Sequence, residues 1–349
     1  MDTTAAVLER YSEGAQSRQA DLCCPVDYDT DLLKALPAEI IERDYGCGDP
    51  SRYVQPGDTV LDLGSGGGKI CFMAAQITGA DGHIIGVDMN DDMLALARQY
   101  QQPMQEQFGA RIDFVKGNIQ DLKLDIEVMA AWLADNPDAS ELAVADEEDK
   151  LRRQAPLIED NSVSLVLSNC VLNLVDDQQK QQLVEEIYRV TRPGGRIAIS
   201  DIISDQPIPQ SMKDDPELWS GCLSGAFGEK EFLDTFAGVG FANVTYDKWD
   251  SQPWKVIDGI TFRSATIVAT KPQLDKSATA GELIYKGPYQ SITTDDGATY
   301  LRGERYQLTA EQKSGLLSTM PDDFIDPDGD GDAQPITPGS CCAPDSSCC

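Results

Sequence analysis

Cysteine is the residue type whose number and placement in this chain point most directly to chemistry. Of the ten cysteines, Cys47, Cys170 and Cys222 stand far apart in the sequence, each beside a glycine or an asparagine. Thiolates are good ligands for soft, thiophilic centres, whereas a reduced cysteine is also a common small residue of a protein core. The spacing alone therefore leaves two interpretations open, a thiophilic binding site or three packing cysteines.

The remaining cysteines are unevenly distributed, and most of them adjoin another cysteine. They are Cys23, Cys24, Cys71, Cys341, Cys342, Cys348 and Cys349. The chain is long and its first residues lack the apolar core of a secretory signal, so reduced thiols are favoured over disulfides. We expect Cys71, on a predicted helix, to be a core residue. The chain has a single histidine, His83, so a metal site built from several histidines or a Ser-His-Asp triad is hard to form.

A second chemical signal is a glycine-rich loop that follows a short apolar run and precedes a helical pattern. The loop spans residues 62–68 (Asp-Leu-Gly-Ser-Gly-Gly-Gly), and Asp88 ends the next predicted strand. Such glycines permit a tight turn and the close approach of a ligand to the backbone at a helix N-terminus. An acid in the position of Asp88 can accept hydrogen bonds from ribose hydroxyls. The pair fits either a dinucleotide or S-adenosylmethionine.

Two further segments favour S-adenosylmethionine over a dinucleotide. Residues 116–121 (Lys-Gly-Asn-Ile-Gln-Asp) and 193–195 (Pro-Gly-Gly) resemble segments of class I methyltransferases, the first of them the segment that contacts adenine. The glycine loop is also closer in form to the first motif of these enzymes than to that of dehydrogenases. The resemblance implies a cofactor site that consists of Asp62, Gly64, Ser65, Gly66, Gly68, Asp88, Met89, Asn118, Ile119 and Ser168.

The motifs around the three separated cysteines narrow the resemblance to one family. Residues 45–48 (Tyr-Gly-Cys-Gly), 168–174 (Ser-Asn-Cys-Val-Leu-Asn-Leu) and 221–226 (Gly-Cys-Leu-Ser-Gly-Ala) are similar to motifs of the arsenite S-adenosylmethionine methyltransferases. They occur in the order of that family and in matching places relative to the predicted strands. Together the similar segments cover roughly residues 40–245.

This family resemblance implies that Cys47, Cys170 and Cys222 are the catalytic residues and hold As(III) as thiolates. Soft thiolates suit trivalent arsenic, and the arsenic lone pair can attack a methyl group without a general base. The enzyme must then align the reacting atoms and exclude water. We therefore expect arsenite or a methylated As(III) species as the substrate, and a thiol of the glutathione or thioredoxin type as the reductant.

The sequence also departs from the family, which keeps other interpretations open. The family has a further cysteine upstream of Tyr-Gly-Cys-Gly, which Cys23 or Cys24 would supply here in a different context. The C-terminal residues carry two vicinal thiol pairs that can chelate and deliver As(III), at Cys341, Cys342, Cys348 and Cys349. One alternative is a methyltransferase that acts on selenium, another metalloid or an organic small molecule. Another is a metalloid-binding protein without catalytic activity.

Strands that alternate with helical segments must position these residues, and the alternation predicts an α/β fold. Apolar runs at residues 59–63, 83–88, 112–117, 164–168 and 196–201 are separated by helical patterns. This order indicates a Rossmann-like class I methyltransferase sheet with helices on both faces. Ligands of such sheets bind beyond the carboxyl ends of the strands, where Cys170 and the glycine loop both fall.

We predict four parts along the chain. They are an N-terminal helical segment (1–40), a methyltransferase domain (41–272) with a helical insertion (122–158), a small β module (273–320) and a disordered, acidic, cysteine-rich tail (321–349). Helices are predicted over residues 5–20 and 31–44. The β module is inferred from alternating apolar and polar residues around a hairpin turn at residues 294–297.

Composition narrows the expected partners and location. Aspartate and glutamate total 59 against 28 lysines and arginines, so the formal net charge is −31. That excess repels nucleic acids and anionic membranes, which are bound through basic side chains. No stretch approaches the roughly 18 uncharged apolar residues of a membrane span. We expect a cytoplasmic monomer with neither nucleic acid nor membrane as a partner. The family resemblance, rather than composition, implies a role in arsenic detoxification.

Overall fold

The computed structural model describes residues 3–17, 26–43 and 45–329 of the chain. The chain divides into two compact units, Met1–Pro272 and Gln273–Cys349, and each is described by itself. Within the described residues, no helix combines the length and the apolar character that crossing a bilayer requires. The first unit contains the glycine loop and the three separated cysteines.

A nine-stranded sheet forms the centre of the first unit. Its strands are β1 (Thr59–Leu63), β2 (His83–Asp88), β3 (Arg111–Lys116), β4 (Val163–Asn169), β5 (Thr191–Ser204), β6 (Phe227–Gly228), β7 (Ala242–Trp249), β8 (Lys255–Ile257) and β9 (Ile260–Thr270). The order across the sheet is β3-β2-β1-β4-β5-β9-β7, and β6 and β8 pair with β5 and β9. Strands β1 to β5 are parallel, whereas β9 pairs antiparallel with both of its neighbours, β5 and β7. The predicted Rossmann-like α/β fold is confirmed.

Helices cover both faces of this sheet. They are α1 (Thr3–Gln16), α2 (Thr30–Lys34), α3 (Ala38–Glu42), α4 (Lys69–Thr78), α5 (Asp91–Phe108), α6 (Ile126–Asp135), α7 (Glu141–Gln154), α8 (Lys180–Val190), α9 (Gln210–Lys213), α10 (Pro216–Ser220) and α11 (Glu229–Gly238). Strand β4 shows the two layers most clearly. Val166 belongs to the apolar core that contains Leu183 of α8. Leu165 belongs to the opposite core, which contains Phe72 of α4. Because β4 is buried on both faces, it has three consecutive apolar residues at its centre, 165–167, rather than an alternating pattern.

The helices outside the sheet differ in part from those predicted. The helix predicted over residues 31–44 is divided into α2 and α3, because Pro37 lacks the N–H that a continuing helix requires and instead lies at the N-cap position before α3. Helix α1 ends at Gln16, four residues before the predicted end. The insertion at residues 122–158 contains α6 and α7, and Ser140 caps α7 by accepting a hydrogen bond from the backbone of Ala143.

Helix α1 packs on the first unit rather than standing apart from it. Nη1 of Arg10 donates hydrogen bonds to the main-chain oxygen of Glu217 and the hydroxyl of Ser220, both at 2.9 Å. Nδ2 of Asn90, at the start of α5, donates to the main-chain oxygen of Leu8 at 3.1 Å. These contacts hold α1 near the carboxyl ends of the parallel strands.

The second unit contains short strands and one helix among its described residues. They are β10 (Gly281–Tyr285), β11 (Ser291–Thr293), β12 (Thr299–Leu301), β13 (Arg305–Leu308), α12 (Ala310–Thr319) and β14 (Phe324–Ile325). Strands β11 and β12 pair antiparallel around the predicted turn, where Gly297 has a φ of +84°. This confirms the hairpin. The prediction of a disordered tail from residue 321 is wrong at its start, because Phe324–Ile325 form β14, which pairs with β10, and Phe324 is buried in the core of this unit. The remainder of the predicted tail, from position 330 onward, lies outside the described residues.

Candidate active site

A cavity of about 270 Å³ lies beside the carboxyl ends of β1, β2 and β4. Its wall combines residues of α1 with the glycine loop and with the segments that follow β2, β3 and β4. The residues that line it are Thr4, Val7, Leu8, Tyr11, Arg43, Tyr45, Gly64, Gly66, Gly67, Asp88, Met89, Asn90, Met93, Gly117, Asn118, Ile119, Gln120, Cys170, Val171, Leu174, Val175, Asp176 and Gln179. The strand order reverses between β1 and β4, which is where open α/β sheets bind their ligands.

The glycine loop turns sharply between β1 and α4. Gly64, Gly66 and Gly68 have φ values of +66°, +51° and +90°, which side chains with a Cβ rarely adopt. A Cβ on Gly64 would overlap the side chain of Val171. The loop therefore lies directly against the residue that follows Cys170, so the cofactor loop and a candidate acceptor residue are neighbours.

Asp88 organises the loop as well as lining the cavity. One carboxylate oxygen accepts a hydrogen bond from the backbone N–H of Gly66 at 2.8 Å, and the other accepts from that of Asn90 at 2.9 Å. Burial raises the pKa of Asp88 above its ordinary value, and these backbone donors offset part of the rise. An acid held in this way presents its remaining lone pairs to a ligand in the cavity.

The predicted cofactor residues fall into two groups. Six of them line the cavity, namely Gly64, Gly66, Asp88, Met89, Asn118 and Ile119. The other four, Asp62, Ser65, Gly68 and Ser168, do not line it. Asp62 instead accepts a hydrogen bond from Sγ of Cys71 in the core, and Ser168 donates to the main-chain oxygen of Leu63. Those two side chains therefore support the strand ends that shape the cavity.

Cys47, Cys170 and Cys222 come together in one buried cluster although the sequence separates them. Their exposed fractions are 0%, 8% and 4%. The Sγ atoms of Cys47 and Cys170 and a carboxylate oxygen of Asp201 all lie within 4.8 Å of one another. Sγ of Cys222 donates to the main-chain oxygen of Cys170 at 3.2 Å. Cys170 also lines the cavity beside the glycine loop, so this cluster adjoins that cavity through Cys170.

Two of these cysteines occupy a strained backbone conformation. Cys170 has a φ of +66° and Cys222 a φ of +61°, in the left-handed region that favours glycine. A residue with a side chain is destabilised there by about 1–3 kcal/mol, and such residues gather at functional sites. The fold therefore tolerates strain at two of the three positions where the sequence resemblance predicts arsenic ligands.

Two tyrosines close this region from the side of α1. The Tyr11 hydroxyl lies 3.8 Å from Sγ of Cys222. The ring of Tyr45 packs edge-on against that of Tyr11, with centroids 6.1 Å apart. Burial, followed by the neighbouring thiol of Cys222, raises the pKa of Tyr11 well above its usual value, so its hydroxyl stays protonated. Both tyrosines line the cavity and connect it with the cysteine cluster.

Asp201 is a member of this region that the sequence interpretation did not identify. It lies on β5 and is fully buried. Its carboxylate accepts hydrogen bonds from the backbone N–H groups of Ile202 at 2.8 Å and Asn173 at 3.3 Å. Burial raises the pKa of Asp201 to about 7, although these donors act in the opposite direction. The only signal in the sequence was a single acid inside an apolar strand.

The other predicted cysteines have different positions. Cys71 is fully buried on α4, as expected for a core residue. Those predicted as accessory thiols all lie outside the described residues: Cys23, Cys24, Cys341, Cys342, Cys348 and Cys349.

Comparison with protein families assigns two parts of the chain. Residues 55–240 match the model of a family described as a methyltransferase domain, which covers the sheet from the approach to β1 through α11. Residues 270–323 match a domain of unknown function. The first match extends over more than half of the chain and includes the glycine loop, Cys170 and Cys222.

Similar curated proteins are arsenite methyltransferases. The one from Halobacterium salinarum is 35% identical over 257 residues, which are 71% of this chain and 56% of that protein. The one from Mus musculus is 28% identical over 313 residues, which are 85% of this chain and 74% of that protein. The chain thus spans little more than half the length of the first relative. These relatives confirm the resemblance that the cysteine motifs predicted.

A solved structure shares the fold over most of the chain. It is the X-ray crystal structure of an arsenic(III) S-adenosylmethionine methyltransferase from Chlamydomonas reinhardtii, with a TM-score of 0.55 and 24% sequence identity. The match covers 86% of this chain and 96% of that one.

Proposed function

Because this chain belongs to the methyltransferase-domain family, we propose that it methylates As(III) with S-adenosylmethionine as the methyl donor. The observation that carries the proposal is the position of Cys170. Its side chain lines the cofactor cavity, and its Sγ lies within 4.8 Å of that of Cys47 in a buried cluster. An arsenic atom held by these thiolates would face the methyl donor without crossing solvent.

The residues of the cavity fit S-adenosylmethionine. Gly64 and Gly66 have no side chains, which leaves room for close approach of the ligand to their backbone. A Cβ at Gly64 would overlap Val171, which also lines the cavity. We assign Asp88 to the ribose hydroxyls and Asn118 and Ile119 to the adenine, and their position in the cavity wall supports this assignment. The bound cofactor supplies a methyl group activated by a sulfonium. The protein binds and orients it.

We assign arsenic binding to Cys47, Cys170 and Cys222. Trivalent arsenic is soft and thiophilic, and thiolates are its matching ligands. The cluster is almost fully buried, which excludes water, and it holds its cysteines on three separate segments before the substrate arrives. A thiol of the glutathione or thioredoxin type is the reductant we expect to keep these cysteines reduced.

The wider role that we propose is arsenic detoxification in the cytoplasm. The substrate class is arsenite together with methylated As(III) species, because both present an arsenic lone pair and exchangeable ligands to the cysteines. The chain's formal charge of −31 supports a small-molecule substrate over nucleic acid. We expect the protein to act as a monomer.

The test is incubation of the protein with arsenite, a thiol and S-adenosylmethionine, followed by arsenic speciation. Cys170→Ser and Cys222→Ser should abolish methylated arsenic while calorimetric S-adenosylmethionine binding stays intact. Cys71→Ser is the matched control, because Cys71 is an equally buried cysteine outside the cluster. Methylation that survives in both cluster variants would contradict the assignment and point to an organic acceptor. Arsenite binding without formation of S-adenosylhomocysteine would indicate a binding protein instead.

A further inference from the structure

We propose that Asp201 is an electrostatic partner of the arsenic site, stabilising the positive charge that arsenic acquires as it takes the methyl group. This inference rests on the proposed arsenite methylation and assigns a role to a residue outside the three cysteines. The role is electrostatic, and Asp201 is not one of the arsenic ligands.

The first argument is position. A carboxylate oxygen of Asp201 lies within 4.8 Å of the Sγ atoms of both Cys47 and Cys170. The side chain is held in this place by backbone donors, with Ile202 N–H at 2.8 Å. An arsenic atom bound to these two sulfurs would therefore have a fixed anionic group beside its ligands.

The second argument is the environment of the carboxylate. Asp201 has an exposed fraction of 0%. The cation that acts on it, Lys180, does so only from a distance, because its ammonium is paired with Asp177. A buried acid without a cation in direct contact is unfavourable for folding, so a fold seldom retains one for stability alone. A cation that appears only during the reaction would give this carboxylate its partner.

The third argument is the charge balance of methyl transfer. The arsenic lone pair forms the As–C bond while the bond between the methyl carbon and sulfur breaks, and its electron pair remains on sulfur. The positive charge of the sulfonium disappears, and arsenic in its neutral trithiolate gains one formal positive charge. No proton and no further electron take part in this step. A group that stabilises the charged product therefore also lowers the barrier to reaching it.

The direction in which the charge moves favours Asp201 over an acid in the cavity. Cys170 lines the cofactor cavity, whereas Asp201 does not. The positive charge therefore moves from the cavity toward the cysteines and nearer to Asp201. Such an acid stabilises the product side more than the bound reactants, which is the condition for accelerating the step.

The test compares Asp201→Asn and Asp201→Ser with the wild-type protein. Asp205→Asn is the matched control. Asp205 is an exposed acid just after the same strand, and its carboxylate accepts a hydrogen bond from the backbone N–H of Thr261. Arsenite affinity is measured by tryptophan fluorescence, S-adenosylmethionine affinity by calorimetry, and methyl transfer in a single turnover by arsenic speciation.

Each outcome decides the question. We expect both Asp201 variants to slow single-turnover transfer by roughly 10²- to 10³-fold, the range found when one stabilising group is removed from an active site. Both affinities should stay within about threefold of wild type, as for an interaction made mainly in the transition state. An unchanged rate, or arsenite affinity that falls in step with the rate, would overturn the proposal. Wild-type protein that methylates no arsenic would instead reject the proposed function, and this inference with it.

A measurement on the wild-type protein covers the case in which the variants do not fold. Infrared difference spectra on adding arsenite, recorded with carboxyl-¹³C aspartate, should show a shifted band of an ionised aspartate. Absence of that band, or its replacement by a protonated carboxyl band, would contradict a carboxylate that faces the arsenic site.

Discussion

The side-chain oxygen of Asn169 holds the backbone of Cys47 in place. It accepts hydrogen bonds from the N–H groups of Cys47 at 2.9 Å and Gly48 at 3.0 Å. A Cβ at Gly46 would overlap the Asn169 amide, so glycine permits this approach. Because Asn169 ends β4 and directly precedes Cys170, the end of one strand positions two of the three cysteines.

Substitution of Asn169 by alanine should separate arsenite binding from cofactor binding. The variant leaves two buried N–H groups without their acceptor, which is unfavourable by about 1–3 kcal/mol for each group. We expect the free energy of unfolding in urea to fall accordingly and arsenite affinity to fall by at least about tenfold, since the loop of Cys47 loses its anchor. S-adenosylmethionine affinity should change little.

Asn136→Ala is the control for that experiment. Asn136 is exposed in the insertion, and its amide donates only to the local main-chain oxygen of Trp132. It should leave both affinities unchanged. Equal losses of arsenite and cofactor affinity in Asn169→Ala would show a general collapse of the strand ends rather than a local role at Cys47.

Tyr11→Phe tests the contact between α1 and the cysteine cluster. The substitution removes a hydroxyl 3.8 Å from Sγ of Cys222 and keeps the ring that lines the cavity. We expect arsenite affinity to fall roughly 2- to 10-fold, the effect of one lost hydrogen bond, with cofactor affinity unchanged. Tyr100→Phe is the matched control, because the Tyr100 hydroxyl binds Glu39 elsewhere. If the two variants bind arsenite with equal affinity, the Tyr11 hydroxyl does not contribute to arsenite binding and Tyr11 has only a packing role.

The glycine loop and the cysteine motifs were predictable because each is a local pattern with a local consequence. Gly64, Gly66 and Gly68 allow the positive φ values of the loop, and the apolar runs around it predict buried parallel strands. The strand order then follows from common rules of α/β folds. Because the carboxyl ends of parallel strands meet at one edge of a sheet, Cys170 was expected at the same edge as the loop.

Contacts made across long sequence separations were not predictable in the same way. Tyr11 approaches Cys222 only because α1 folds back over the strand ends. In the sequence, Asp201 is one polar residue in an apolar strand. Its proximity to Cys47, which lies on another segment, is visible only in the folded structure. Ser168 illustrates the reverse case. Its position at a strand end suggested a ligand contact, but its hydroxyl donates a hydrogen bond to the main-chain oxygen of Leu63.

Asp177→Asn tests an ion-pair arrangement that supports the Cys222 loop. Lys180 donates to Asp177 at 2.6 Å and to the main-chain oxygen of Gly225 at 2.6 Å, and Lys213 pairs with the same carboxylate. Burial acts to raise the pKa of Asp177, but the two lysines outweigh it and hold the pKa below its usual value.

The lowered pKa fixes the sign of the pH dependence. A carboxyl whose pKa is lower in the folded state stabilises the fold above its unfolded pKa of about 4, and that stabilisation is lost as pH falls through the folded value. We expect Asp177→Asn to lower stability by about 1 kcal/mol or less at pH 7, because the pair is partly exposed. The difference from wild type in urea unfolding should begin to shrink below pH of about 4 and should disappear once the pH is below the lowered folded pKa. A difference that persists in acid would show that the ion pairs are not its cause.

Gly64→Ala, compared with Gly79→Ala, separates backbone strain from steric overlap in the cofactor loop. The two glycines have nearly equal φ values, +66° and +65°. A Cβ on Gly79 meets nothing within 4 Å, whereas one on Gly64 would overlap Val171. Both variants should be destabilised by about 1–3 kcal/mol, because a residue with a Cβ is strained at these positive φ values. At Gly79 the ψ of −161° adds a conformation that is essentially restricted to glycine. Only Gly64→Ala should also weaken calorimetric S-adenosylmethionine binding, by roughly 10-fold or more, because the loop must move away from the Cys170 segment. Adding Val171→Ala should restore part of that affinity, and failure of the second substitution to do so would mean that the overlap is not the cause.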